Sequence, residues 1–171
     1  MQAGTRNMPG KSPSWTRRVY PRSNRTPPPE VPIDIATDYT EAATILDDSP
    51  RASAALSRRA LQLVLRDHLG AKGNNLEKEI DSVSAHVGPS LIISMHALRK
   101  IGNFGAHPNK DKLTLELIPV EAGEAEWSLD VLDELFQTVF IAPARSADRL
   151  AALNYKLTSA GYDPIDPGPG D

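Results

Sequence analysis

Apolar side chains recur at helical spacing most clearly between residues 50 and 69. Ala52, Leu56, Ala60, Leu63 and Val64 form one stripe, Leu61 and Leu65 widen it, and Arg58, Arg59, Gln62 and Arg66 take the complementary side. Ser49 followed by Pro50 is a start signal, a capping hydroxyl before a proline that needs no helical donor. Gly70 is placed to end the helix in the left-handed conformation. Upstream, Thr37 or Asp38 is positioned to cap a helix running to about Leu46. Downstream, Asn75 is placed to cap a short helix with Leu76, Ile80 and Val83 inward.

Residues 90–101 are apolar nearly all round (Leu91, Ile92, Ile93, Met95, Ala97, Leu98, Ile101), which predicts a central, buried helix. Residues 113–120 alternate only in part and predict a short extended segment or irregular backbone. From Glu124 to about Ile141 two stripes coexist: Leu129, Leu132, Phe136, Val139 and Phe140, then Trp127, Val131 and Leu135. Pro143 should interrupt that helix, and a last one should span Ser146 to Ala160, stopped by Gly161. The expectation is an all-α bundle of about five to six helices over residues 33–160. A disordered arm (1–32) precedes it and a Pro/Gly-rich tail (161–171) follows.

Composition narrows the function classes. A chain of 171 residues accommodates one core plus tails. It has no cysteine, which excludes a disulfide framework, a thiolate zinc site and a thiol nucleophile. No apolar run has the roughly 18 residues of a membrane span, and no apolar stretch marks a secretory signal, so the default location is cytoplasmic. The net charge of −3 is uneven. Residues 1–30 carry six basic residues against Glu30, a balance of +5, and the remainder carries −8. Seven prolines up to Pro32 keep the arm extended. Such an arm reads either as a solvated tail or as a contact for nucleic acid or an acidic partner.

The chemistry-bearing residues cluster at one place. His96, Arg99, Asn103 and His107 recur at intervals of three or four, so a helix reaching His107 would align them. An imidazole for proton transfer and a guanidinium for phosphorane charge are the minimum kit for RNA cleavage. Arg99 and His107 are eight residues apart, about 12 Å of helical rise, so a symmetric dimer would be needed to join Arg99 of one chain to His107 of the other. The competing reading is local: Gly102 ends the helix, Asn103 caps it, and Gly105 allows a tight turn. The four histidines lack close metal-ligand spacing, and no glycine-rich loop has phosphate-loop spacing, so no metal or cofactor is expected. Arg58, Arg59 and Arg66, with Gln62, form a candidate phosphate-binding face, set against the commoner reading of such a run as a solvated basic surface.

The run from Asp38 to Pro143 resembles a bacterial and phage-associated domain-of-unknown-function family, the one numbered 4145. The pieces that carry the resemblance are Asp-Tyr-Thr-Glu-Ala (38–42), Ser-Pro-Arg-Ala-Ser-Ala-Ala-Leu-Ser-Arg-Arg-Ala-Leu-Gln (49–62) and Asn-Leu-Glu-Lys-Glu-Ile-Asp (75–81). The most specific is Arg-Lys-Ile-Gly-Asn-Phe-Gly-Ala-His-Pro (99–108). That family looks similar to the HEPN group of helical bundles, which holds metal-independent ribonucleases and many non-catalytic members. The resemblance implies a HEPN-like bundle, homodimerisation, and a link to defence or mobile elements. In the catalytic members an arginine precedes the histidine by four to six positions. Here Asn103 and His107 match that frame, but Gly102 stands in the arginine position and Arg99 lies three residues too early. The resemblance therefore implies a non-catalytic binding or accessory module. The alternatives are a ribonuclease using His107 with Arg99 of a second subunit, and a nucleic-acid-binding domain using the basic arm.

Overall fold

The structure is a computed structural model and describes residues 25–106 and 119–166. Six α-helices build the described part: α1 (Ile33–Ile45), α2 (Pro50–Leu63), α3 (Leu76–Ser82), α4 (Pro89–Ala106), α5 (Ala122–Phe136) and α6 (Ala142–Ser159). Two π-turns, Val64–His68 and Gln137–Ile141, continue α2 and α5. There is no strand among the described residues. Most of the segment expected to be extended, 113–118, lies outside them, as do residues 1–24 of the arm, His107 and the last five residues.

Local chemistry sets most of the boundaries. The Ser49 hydroxyl accepts from the Ala52 N–H at 3.3 Å, ahead of Pro50. Asn75 Oδ1 accepts from the Lys78 N–H at 3.0 Å. Gly70 and Gly161 adopt φ of 60° and 80°, and both close helical segments as expected. The first helix differs: it begins at Ile33, a turn before Thr37. The Thr37 hydroxyl donates to the Ile33 carbonyl instead of capping, and Thr40 and Thr44 repeat the pattern one turn on each. Pro143 breaks nothing. It sits in the first turn of α6, just past the widened π-turn, where its missing N–H and its ring are accommodated.

The helix at the centre is α2, which packs on α1, α4 and α5. The inward residues of α2 are Ser53, Ala54, Ser57, Ala60 and Leu61, continued by Val64 and Leu65 of the π-turn, whereas Leu56 and Leu63 are only half-buried. The inward side is thus rotated from the expected stripe toward small residues, because only small side chains let three helices close on one. The reading of residues 90–101 as buried on all sides is corrected accordingly. Helix α4 buries a single stripe, Leu91, Met95, Leu98 and Ile101, and leaves Ile93 71% exposed. Tyr39 on α1 packs against Phe136 on α5, and the two π-turns meet where the His68 and Phe140 rings make a T-shaped contact, centroids 4.9 Å apart. Tyr39 also donates to Asp133 at 2.6 Å, and Arg25 donates to Asp133 and Asp130, so the chain entering α1 is tied to α5.

Candidate functional site

Helix α4 does not end at Gly102. It continues to Ala106, so Gly102 and Asn103 are helical and the local capping reading of these two residues is overturned. The reason lies across the interface. A Cβ at position 102 would sit 2.5 Å from Arg58 Cβ, 2.8 Å from Arg58 Cδ and 3.0 Å from the Ala54 carbonyl oxygen of α2. Glycine there lets α4 approach α2 closely, and the stem of Arg58 lies across it.

Arg99 lies one turn before Gly102. Its side chain is only 15% exposed, and a terminal nitrogen donates to Glu77 Oε1 of α3 at 3.1 Å. Its Nε is buried without a hydrogen-bond partner. His96, one turn earlier still, contacts Asp81 Oδ1 at 3.0 Å. The stripe expected to gather chemistry thus forms, in its first half, two rungs tying α4 to α3. Asn103 follows on the same helix and is half-buried. His107 lies outside the described residues, so its distance from Arg99 is not part of the geometry.

The basic residues of α2 do not act as one face. Arg59 turns to α1 and pairs with Asp38 at 3.0 Å. Arg66 donates twice to Glu79 of α3, at 2.8 and 2.7 Å, while Gln62 donates to the other oxygen of the same carboxylate. Arg58 alone of the three turns to α4, and it makes no hydrogen bond or ion pair among the described residues. Burial lowers its guanidinium pKa, the neighbouring Arg99 and Arg66 lower it further, and Glu79 opposes them.

Two carboxylates are buried: Glu79, which the sequence pattern did not single out, and Asp38, which it placed only as a candidate helix cap. Glu79 is 2% exposed and Asp38 3% exposed. Burial raises the Asp38 carboxyl above its ordinary value; Arg59 opposes this, and Glu41 and Asp34 add to it. Glu79 sits at a helical position that reads as solvent-facing, and Asp38, expected to cap the first helix, lies instead in its second turn because the helix begins at Ile33. The only available signal was the basic residues of α2 that meet them. Among the described residues no group of three His, Asp or Glu side chains converges as a metal site, and no helix is long and apolar enough to cross a membrane. An open groove of about 590 Å³ runs beside α1, lined by Pro27, Ile33 and the methyl-bearing Thr37, Thr40 and Thr44, and none of the candidate residues borders it.

The family described as Domain of unknown function (DUF4145) matches residues 40–156, and the chain belongs to it. Neither a curated protein nor a solved structure matches the chain.

Proposed function

We propose that this member of the family is a non-catalytic, HEPN-like binding module that acts as a homodimer and serves a larger defence or mobile-element system. The observation that carries the reading is the state of Arg99. Its side chain is largely withdrawn from solvent and bonded to the Glu77 carboxylate. A guanidinium that must follow charge developing on a phosphorane works best when its donors point at the reacting atoms. Here one donor is committed to a carboxylate and a second, Nε, is buried. The position that would complete the arginine-to-histidine frame is glycine, and it is needed as glycine by the α2–α4 crossing.

Helix α6 supports the binding role. None of its residues is buried, and its main packing is with the π-turn from which it emerges. Leu150, Leu153 and Leu157 fall on one side, with Leu153 43% exposed, and Asp148, Arg149 and Lys156 supply both charge signs around them. A second copy of the chain fits such a face, since an apolar seam flanked by both signs is self-complementary. The basic arm contributes less free charge than its composition implies, because Arg25 is bonded to Asp130 and Asp133.

The test is incubation of the full chain with single-stranded RNA in EDTA. The RNA should remain intact. Cleavage that disappears in His107→Ala, with the fold retained, would replace this reading by the ribonuclease with Arg99 supplied by the second subunit. Light scattering should give a dimer that Leu153→Glu converts to monomer; an unchanged mass would remove α6 from the interface.

A further inference from the structure

We propose that the groove beside α1 is a docking site, and that its occupant is the basic, aromatic-bearing stretch of this chain's own arm, residues 14–22. The proposal stands on a different part of the molecule from the α6 face and does not depend on the non-catalytic reading.

The groove is built from threonine chemistry. Thr37, Thr40 and Thr44 follow Ile33 along α1 at intervals of four, three and four, so all four share one side of the helix. Each threonine hydroxyl donates to the carbonyl one turn back: Thr37 to Ile33 at 2.6 Å, Thr40 to Ala36 at 2.7 Å and Thr44 to Thr40 at 2.7 Å. With the hydroxyls engaged by the backbone, the side chains line the groove chiefly with methyl groups. Ile33 beside them is 83% exposed. Threonine is a weaker helix former than alanine, so three of them on the outer side of α1 serve neither the helix nor the core. A contiguous apolar surface with a polar rim marks an interaction site.

Charge selects the occupant. Between Thr26 and Pro50 there is no lysine, arginine or histidine, whereas Glu30, Asp34, Glu41, Asp47 and Asp48 are exposed carboxylates. Glu41 itself lines the groove, and Asp34 lies two turns away on the same side of α1. A negative rim around an apolar floor attracts a basic segment that also carries apolar anchors. The body of a second copy is the wrong sign, since residues 31–171 carry a net −8. Residues 14–22 (Ser-Trp-Thr-Arg-Arg-Val-Tyr-Pro-Arg) have the required composition: three arginines, no carboxylate, and Trp15, Val19 and Tyr20 as anchors.

Connectivity brings them to the place. Arg25 is tethered to α5 through Asp130 and Asp133, and the next two residues, Thr26 and Pro27, line the groove. The arm therefore departs beside its proposed site, which gives it a high effective concentration there. The five residues from Trp15 to Tyr20 reach up to about 17 Å. The rise along α1 from Ile33 to Thr44 is also about 17 Å, so the two rings match the length of the threonine row.

The experiment uses the full chain carrying Trp127→Phe, which leaves Trp15 as its one tryptophan. Acrylamide quenching of Trp15 is compared with that of a synthetic peptide of residues 12–24. Quenching in the chain should be at least threefold weaker, with a blue-shifted emission maximum. Thr40→Lys and Ile33→Glu, at two exposed positions of the row, should each raise quenching to the peptide's value while far-ultraviolet circular dichroism stays unchanged. Arg17→Glu/Arg18→Glu should do the same in part, and high salt should mimic it. Quenching of the parent as strong as that of the peptide would overturn the proposal. So would protection that persists in both groove variants, because the arm would then dock elsewhere. Protection that disappears on dilution would overturn the assignment to the chain's own arm and give the groove to the arm of a second copy. None of these outcomes alters the RNA or light-scattering results that test the non-catalytic, α6-paired module.

Discussion

Replacing Gly102 by alanine sets two opposite effects against each other. Glycine in a helix interior is about 1 kcal/mol worse than alanine, and Gly102 lies inside α4, so propensity alone predicts stabilisation. The crossing predicts the reverse. The new methyl would stand 2.5 Å from Arg58 Cβ and 3.0 Å from the Ala54 carbonyl oxygen, where carbon contacts normally settle near 3.5–4.0 Å. Neither neighbour is the mobile end of a side chain, so the helices must separate by roughly an ångström along an interface that buries Ala54, Ser57, Met95 and Leu98. Overpacking of this kind costs about 1–3 kcal/mol, and the rigid neighbours place it at the upper end. The net expectation is a loss of about 2 kcal/mol, or about 8 °C in the thermal midpoint of a domain this size. Urea denaturation followed by far-ultraviolet circular dichroism measures it, with an unchanged m-value. Arg58→Ala/Gly102→Ala should recover little, because the Cβ–Cβ contact persists. Gly123→Ala is the control: nothing lies within 4 Å of a Cβ there, so that change should be neutral or mildly stabilising. A Gly102→Ala protein about 1 kcal/mol more stable than the parent would refute the close-crossing argument.

Arg66→Ala should cost about 2–3 kcal/mol in chemical denaturation, because it strands a carboxylate that is 2% exposed with only Gln62 donating to it; adding Glu79→Gln should restore part of the loss. Tyr39→Phe should cost about 1 kcal/mol, with the loss kept small because Asp133 retains Arg25, and equal stability in the two proteins would show that the 2.6 Å bond contributes nothing. Asp38 has a folded pKa raised above its unfolded value, so the folded state holds its proton longer and this residue's contribution to stability declines as pH rises from about 4 through the folded value. Asp38→Asn should flatten that part of the stability–pH curve, measured as urea midpoints from pH 3 to 7; an unaltered slope would mean that Arg59 fully offsets the burial.

Signals contained within a few residues were legible in the chain. Ser49–Pro50, Asn75, Gly70 and Gly161 act through hydrogen bonds and backbone angles of their own neighbourhood, and each has the same role in the fold. The helical class and the inward set Leu76, Ile80 and Val83 follow from periodicity in the same way. What the tertiary structure decided are the points where a residue's local cost is offset by a distant partner. Gly102 reads locally as a helix terminator, yet α2 makes it a crossing. Ser53 and Ser57 read as polar, yet their small size turns them into the core. Glu79 reads as solvated, yet Arg66 and Gln62 hold it inside. Arg58, Arg59 and Arg66 are neighbours along one basic run, and only the positions of α4, α1 and α3 send them to a glycine, to Asp38 and to Glu79. Periodicity records which residues share a side of a helix. It carries no information about which helix will face that side, and that is where the candidate site is made.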